Sequence, residues 1–275
     1  MSTLKSVLVP LLFLASLAAQ AKGSNEANLI AIGQGISSPT LTSTVNFSSG
    51  YTNESPVGVV YQDSIRLTGE YDTDNDSDRN GTGRTGYGAE LGYGKSGSAG
   101  LALGYYTRDC TNCEGRAAGS AAVVVAGMGV GLRVQKDLYT VGLLFNPEGT
   151  HRLGLIAETY GGSTTGNNLK NYGAGYSYVA SGWTFTVDAS KRDYENQNAY
   201  DNRVLVTPSL MVRADFLQIS LNDRITLNNR DTSSSRADDT VHEAWVGIGV
   251  GGTSWHFAGY GNYVNDIALA LSLFF

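Results

Sequence analysis

The stretch IALALSLFF alternates with a period of two. Ile267, Leu269, Leu271, Leu273 and Phe275 fall on one face, while Ala268, Ala270 and Ser272 fall on the other. In a soluble sheet a strand this apolar would fray or aggregate at its edge. Such a strand needs an apolar medium against its large side chains and a crowded interior against its small ones.

The same alternation recurs along the chain. SIRLTGEY sets Ile65, Leu67 and Tyr71 against Arg66, Thr68 and Glu70, and GYGAELGYG sets Tyr87, Ala89, Leu91 and Tyr93 against Glu90 and glycines. WTFTVDAS sets Trp183, Phe185, Val187 and Ala189 against Thr184, Thr186, Asp188 and Ser190. One such segment fits a half-buried soluble sheet equally well, so the number of them carries the argument.

Candidate strands fall near 57–72, 85–95, 99–108, 121–134, 138–146, 151–160, 170–180, 183–193, 203–213, 216–228, 241–250, 254–262 and 267–275. Single-chain bacterial barrels have an even number of strands, so this odd list contains an error and leaves twelve and fourteen both open. Fourteen is favoured only by the family resemblance that the N-terminal segment carries. The ambiguity lies between Ala121 and Phe145, where a turn is hidden or two segments merge. The reading is all-β, an antiparallel transmembrane β-barrel with an N-terminal plug. The 35 glycines and 16 tyrosines, against 16% charged residues, agree with it, since tyrosines form interfacial girdles and small residues crowd a lumen. A soluble secreted β-sandwich is the competing class.

Residues 1–21 read as a signal peptide: Lys5, then SVLVPLLFLASLAA, then Ala19-Gln20-Ala21 as a small-x-small cleavage site. Lys5 is the one charged residue of that leader, so its removal takes the formal net charge from -6 to -7. An acidic chain argues against nucleic acid as a partner. No later segment approaches the roughly 20 apolar residues of a membrane helix.

Residues 22–56 carry no strand pattern, yet Leu29, Ile30, Ile32, Ile36, Leu41, Val45 and Phe47 are too apolar for a solvated tail. They are expected to plug the lumen of a barrel spanning 57–275, with Ile32, Ile36 and Pro56 as plug residues. The IGQG at 32–35, followed by Asn53-Glu54-Ser55-Pro56-Val57-Gly58, resembles the N-terminal hatch of the long-chain fatty-acid transporter family, FadL type. That family has an Asn-Pro-Ala-Gly-like motif leading into its first strand. Here two residues separate the Asn from the Pro, and the likeness covers only the plug and the general layout. It implies a hatch blocking the lumen and a kinked strand opening the wall sideways to a hydrophobic ligand. Pro208, in LVTPSLMV, is the candidate wall kink, because a closed barrel has no edge on which a proline is harmless. In the family the kink lies in an early strand, and Pro208 is late.

Other constellations carry less. Cys110 and Cys113 lack the second pair of a four-thiolate zinc site, and a small-loop disulfide is their expected state. Asp72, Asp74, Asp76 and Asp78 alternate as in a calcium loop, but the expected glycine and glutamate are missing, so no metal is assigned. The histidines of THRLG, VHEAW and WHFAG do not form a lipase-type pairing with serine, and neither a catalytic residue nor a cofactor is expected. The ligand or lumen candidates are Arg66, Glu70, Glu90, Tyr106, Asp188, Arg213, Trp245 and Phe274. The C-terminal strand ending on Phe275 resembles the recognition signal for barrel insertion.

The functional expectation is transport of hydrophobic small molecules such as fatty acids across a Gram-negative outer membrane. The alternative is a structural or surface-interaction barrel, or a small porin, with no dedicated substrate. Expected partners are outer-membrane lipid and lipopolysaccharide, the barrel-assembly machinery and a hydrophobic small molecule.

Overall fold

The computed structural model describes residues 35–37, 55–62, 65–74, 84–95, 97–109, 115–136, 138–161, 168–194, 203–227, 240–252, 254–263 and 267–275. The expected leader, Ile32, the cysteine pair and the acidic run beyond Asp74 lie outside them. Among the described residues are β1 (Ile65–Asp74), β2 (Arg84–Lys95), β3 (Ala99–Asp109), β4 (Arg116–Val125), β5 (Met128–Gln135), β6 (Leu138–Phe145) and β7 (His151–Gly161). Then follow β8 (Asn168–Ala180), β9 (Trp183–Tyr194), β10 (Arg203–Ala214), β11 (Leu217–Leu227), β12 (Thr240–Gly251), β13 (Trp255–Asn262) and β14 (Ile267–Phe274). Each strand pairs with its chain neighbours, and β1 pairs antiparallel with β14, closing the sheet into a barrel. At the seam Phe275 donates its amide to the Ile65 carbonyl at 2.9 Å and Ile65 donates back at 3.3 Å.

Closure follows from the alternation. Leu91, Leu103, Val125, Leu132, Val141, Leu153, Val246 and Ile248 are all exposed on the outer surface. A band of large apolar side chains facing outward on every strand is the surface a bilayer accepts and water does not. The inward positions between them are small or polar, as in β9, where Thr184, Thr186, Asp188, Ser190 and Arg192 are buried. With no free edge, every ladder can be satisfied within the sheet, which a membrane span requires.

The connections sort by length, with the exception of the two-residue link from Gln135 of β5 to Leu138 of β6 at the long-loop rim. Even strands pass to the next through short turns, such as Ala126-Gly127, Ser181-Gly182 and Asp215-Phe216. Odd strands end at the opposite rim, where Asp74 and Arg84, Gly161 and Asn168, and Leu227 and Thr240 bound the longer connections. Long loops at one rim and short turns at the other are the asymmetry of outer-membrane barrels.

Three sequence expectations are corrected. The segment read as one strand over 121–134 is two, because Ala126 (φ 52°) and Gly127 (φ 75°) form a two-residue hairpin turn. Positive φ at both central residues is the type I′ geometry whose twist matches the flanking strands. The strand expected over 216–228 begins at Leu217, and the one expected over 203–213 runs on to Ala214, which pairs with Leu217 across an Asp215-Phe216 turn. The wall begins at Ile65 and not at 57, because Pro56–Gln62 is a 3-10 helix. Val57, Val59 and Val60 are all fully buried, which a half-lipid-facing strand would not permit.

Candidate functional site: the inner wall and the segment seated on it

Following register sideways from strand to strand divides the inner wall into rows. Gly131 lies opposite Gly142, Gly142 opposite Ile156, and Ile156 opposite Gly173. One pair of residues closer to the short-turn rim, Gly129 lies opposite Leu144, Leu144 opposite Gly154, and Gly154 opposite Gly175. The absent side chains leave a furrow across β5 to β8.

Residues 35–37 and 55–57 lie in that furrow, which continues under Val59 and Val60 over the small residues Gly100, Ala102 and Ala122 of β3 and β4. A Cβ at Gly131 would stand 2.8 Å from the Pro56 carbonyl carbon, and one at Gly142 would stand 2.6 Å from Ser55 Oγ. A Cβ at Gly129 would collide with the Val57 side chain, one at Gly100 with the Val59 carbonyl, and one at Gly154 with the Ile36 carbonyl. These glycines are required by close approach of a second backbone. Val57, Val59 and Val60 form an apolar cluster with Ala102, Ala122 and Leu144. Each such side chain contributes roughly 1.5–3 kcal/mol on full burial. The two inner pieces are tied to each other where Ser55 donates its amide to the Gly35 carbonyl at 2.6 Å.

Asp188, one of the sequence candidates, holds the other end of this segment. Its Oδ2 accepts the Ile36 amide at 3.1 Å and its Oδ1 accepts the Ser37 hydroxyl at 3.3 Å. The amides of Gly35 and Ser37 also point at this carboxylate. Successive amides converging on one anion form a nest, and such charge-assisted bonds are about twice as strong as neutral ones. Ser37 Oγ lies 2.7 Å from Ser177 Oγ, which lies 3.0 Å from Thr186 Oγ1. Ile36 is fully buried and Asp188 is 4% exposed.

Toward the long-loop rim runs a polar row. Ser120, Arg133, Thr140, Glu158, Asn171 and Arg192 are consecutive register partners across β4 to β9. Thr140 donates to Glu158 at 2.9 Å, Asn171 donates to Glu158 at 3.4 Å and Arg133 donates to Ser120 at 3.4 Å. Arg133 and Arg192 both act electrostatically on Glu158. None of these six is among the ligand or lumen candidates read from the sequence, although inward parity on each strand marks them.

The remaining candidates are dispersed. Trp245 and Phe274 belong to an inner apolar cluster with Ala258, Tyr260, Ala268 and Ala270 on β12 to β14. Trp245 Nε1 donates to Glu243 at 2.9 Å, and Glu243 also pairs with Arg224. Glu90 is buried on β2, and Arg213 is half-buried on β10 beside the short turn. Arg66 and Glu70 stand opposite Phe274 and Ala270 in the seam register, and Tyr106 stands opposite Gly88 and Arg116.

Pro208 sits in β10. Its ladder with β9 runs unbroken through Pro208↔Val187, whereas the ladder with β11 lapses between Val206↔Ile225 and Ser209↔Asn222. The register is the same on both sides of the lapse, so this is a gap in the bonding and not an inserted residue.

Among solved structures, the CymD monoaromatic hydrocarbon channel matches with a TM-score of 0.54 at 10% identity, covering 80% of this chain and 91% of that one. The chain has the fold of bacterial outer-membrane channels. The outer membrane channel DcaP of Acinetobacter baumannii follows at a TM-score of 0.44 and 9% identity, over 77% of this chain and 96% of its own. OmpF of Salmonella typhi, in complex with daunomycin, matches at 0.46 and 8%, over 78% of this chain and 98% of its own. No protein-family model matches the sequence, and no curated protein sequence matches it.

Proposed function

We propose that the protein is an outer-membrane channel for small hydrophobic molecules such as fatty acids, a fourteen-stranded barrel whose segment ahead of β1 plugs the lumen. The observation that carries this reading is the glycine furrow with Ile36, Val57, Val59 and Val60 buried against it. A wall whose interior only had to be filled could use side chains. A wall shaped around a separate backbone gains a part that can be displaced.

Two further features support it. The inner cluster of Trp245, Tyr260 and Phe274 offers apolar contact on the wall across from the furrow, a surface suited to an acyl chain or a ring. The lapse in bonding beside Pro208 weakens one seam of the wall, where a hydrophobic molecule would pass into the bilayer without crossing the polar row. The expected setting is a Gram-negative outer membrane, with lipopolysaccharide around the barrel and insertion by the barrel-assembly machinery. A surface-interaction barrel with a closed lumen is the second reading, favoured by the packed row from Ser120 to Arg192.

Reconstitution in planar bilayers and proteoliposomes tests the proposal. The intact protein should pass little ion current yet admit a hydrophobic fluorescent probe, and deletion of residues 24–50 should produce large, stable channels. Pro208→Val, which restores a donor to the β10–β11 ladder, should slow probe entry. Large channels from the intact protein would make it an ordinary porin. Silence from both forms, with no probe entry, would leave the surface-interaction barrel.

A further inference from the structure

We infer that Asp188 is the latch of the plug: its carboxylate, set in the wall of β9, holds residues 35–37 in place and thereby keeps the channel shut. This rests on the plug reading and goes beyond it by naming the contact on which closure depends.

The chemistry is specific to an anion. The Ile36 amide and the Ser37 hydroxyl donate to the two carboxylate oxygens, which accept and cannot donate, and the neighbouring amides of Gly35 and Ser37 act on the same group. The wall around the carboxylate is cleared for this approach. A Cβ at Gly175 would collide with Asp188 Oδ1 and would stand 3.0 Å from both Ile36 Cβ and Ser37 Oγ. Gly154 admits the Ile36 carbonyl, and Gly173 admits the end of the Ile36 side chain. Ser177 extends the contact sideways to the Ser37 hydroxyl and is itself held by Thr186, so that Asp188 and Ser177 grip the segment from two neighbouring strands.

The other anchorage is different in kind. Around Val57, Val59 and Val60 the segment is held by apolar burial, which is non-directional and tolerates sliding. The carboxylate nest is directional and fixes position. Losing it leaves residues 35–37 held only by the Ser55–Gly35 hydrogen bond and by the apolar seat of Ile36, while 55–62 stay seated, which gives a plug whose far end can lift.

The test uses two variants that break the same contact from opposite sides. Asp188→Asn replaces the anion with an amide of the same size that presents one acceptor atom. Ile36→Pro removes the donated amide from the segment and touches no strand, so the wall can still form. Folding is verified for each by heat-modifiable mobility on a gel, and current is recorded in planar bilayers beside the wild type and the deletion of residues 24–50. Both point variants should open frequently, passing at least tenfold more charge than the wild type.

In a background with Cys110→Ser and Cys113→Ser, the pair Ser37→Cys and Ser177→Cys should cross-link on oxidation. That link should silence the Asp188→Asn channel until it is reduced. Point variants as quiet as the wild type, beside a conducting deletion, would overturn the latch and leave the plug standing. A quiet deletion would overturn the plug reading itself, and the latch with it.

Discussion

The Ile36 amide donates to Asp188 Oδ2 at 3.1 Å across a sequence separation of 152 residues. A carboxylate that reads as one inward polar residue in an alternating strand is therefore the receiver of a segment from the far end of the chain. A buried carboxylate without partners is costly, and the Ile36 amide and Ser37 hydroxyl offset part of that cost.

Gly175 bears on this contact from the wall. Gly175→Leu should push residues 35–37 off the furrow, because even its Cβ overlaps Asp188 Oδ1. The expected outcome is a folded, heat-modifiable barrel with increased conductance, read in planar bilayers. The outward-facing neighbour Ala174→Leu serves as the control and should leave the current at the wild-type level.

The hidden turn at Ala126-Gly127 makes a stability prediction. Ala126 holds a left-handed backbone that costs an L-residue with a Cβ roughly 1–2 kcal/mol, and asparagine tolerates it better. Ala126→Asn should raise unfolding free energy by up to about 1 kcal/mol in a urea titration of the barrel in detergent. Gly127→Val should lower it by more, since a β-branched residue at positive φ is strained whatever space surrounds it.

At the seam, Phe275 exchanges both backbone hydrogen bonds with Ile65 and turns its ring outward. Phe275→Asp places a charge on the lipid face beside the closing ladder. Assembled, heat-modifiable protein in outer-membrane fractions should fall several-fold, with unassembled chain accumulating in the periplasm. Normal assembly would remove Phe275 from the insertion signal.

The sorting of connections predicts topology. Single cysteines at positions 76, 113, 167, 198 and 234, in a cysteine-free background, should react with an impermeant maleimide on intact cells. Cysteines at Glu148 and Ser181, on the short-turn rim, should react only after permeabilisation. The reverse pattern would invert the barrel.

Much of the wall is legible in the sequence because lipid and lumen impose opposite demands on successive residues. Strands β8, β9, β12 and β14 announce themselves by that contrast. Where the contrast fades the reading slips. AAVVVAGMGVG offers no polar turn signal between β4 and β5, and the reversal there is encoded only in two positive φ angles. Val57, Val59 and Val60 look like strand residues because their neighbours are apolar too, but their burial comes from the furrow and not from a sheet face. The row from Ser120 to Arg192 escapes notice for another reason. Its members are separated along the chain and become neighbours only through register, which no local pattern displays. The glycines of the furrow are visible as composition and invisible as a shape, since only the pairing sets them side by side.

The seam joins the first strand to the last, and the segment lodged in the furrow precedes both. The cylinder can be shut only once β14 reaches β1, so the sheet first curls as an open trough. The furrow runs over β3 to β8, none of which takes part in that closing pair. The seat for the segment is therefore complete without the seam, so a half-built vessel already has a place for its cargo. A chain that zipped its seam too soon would face threading its own beginning through a finished mouth.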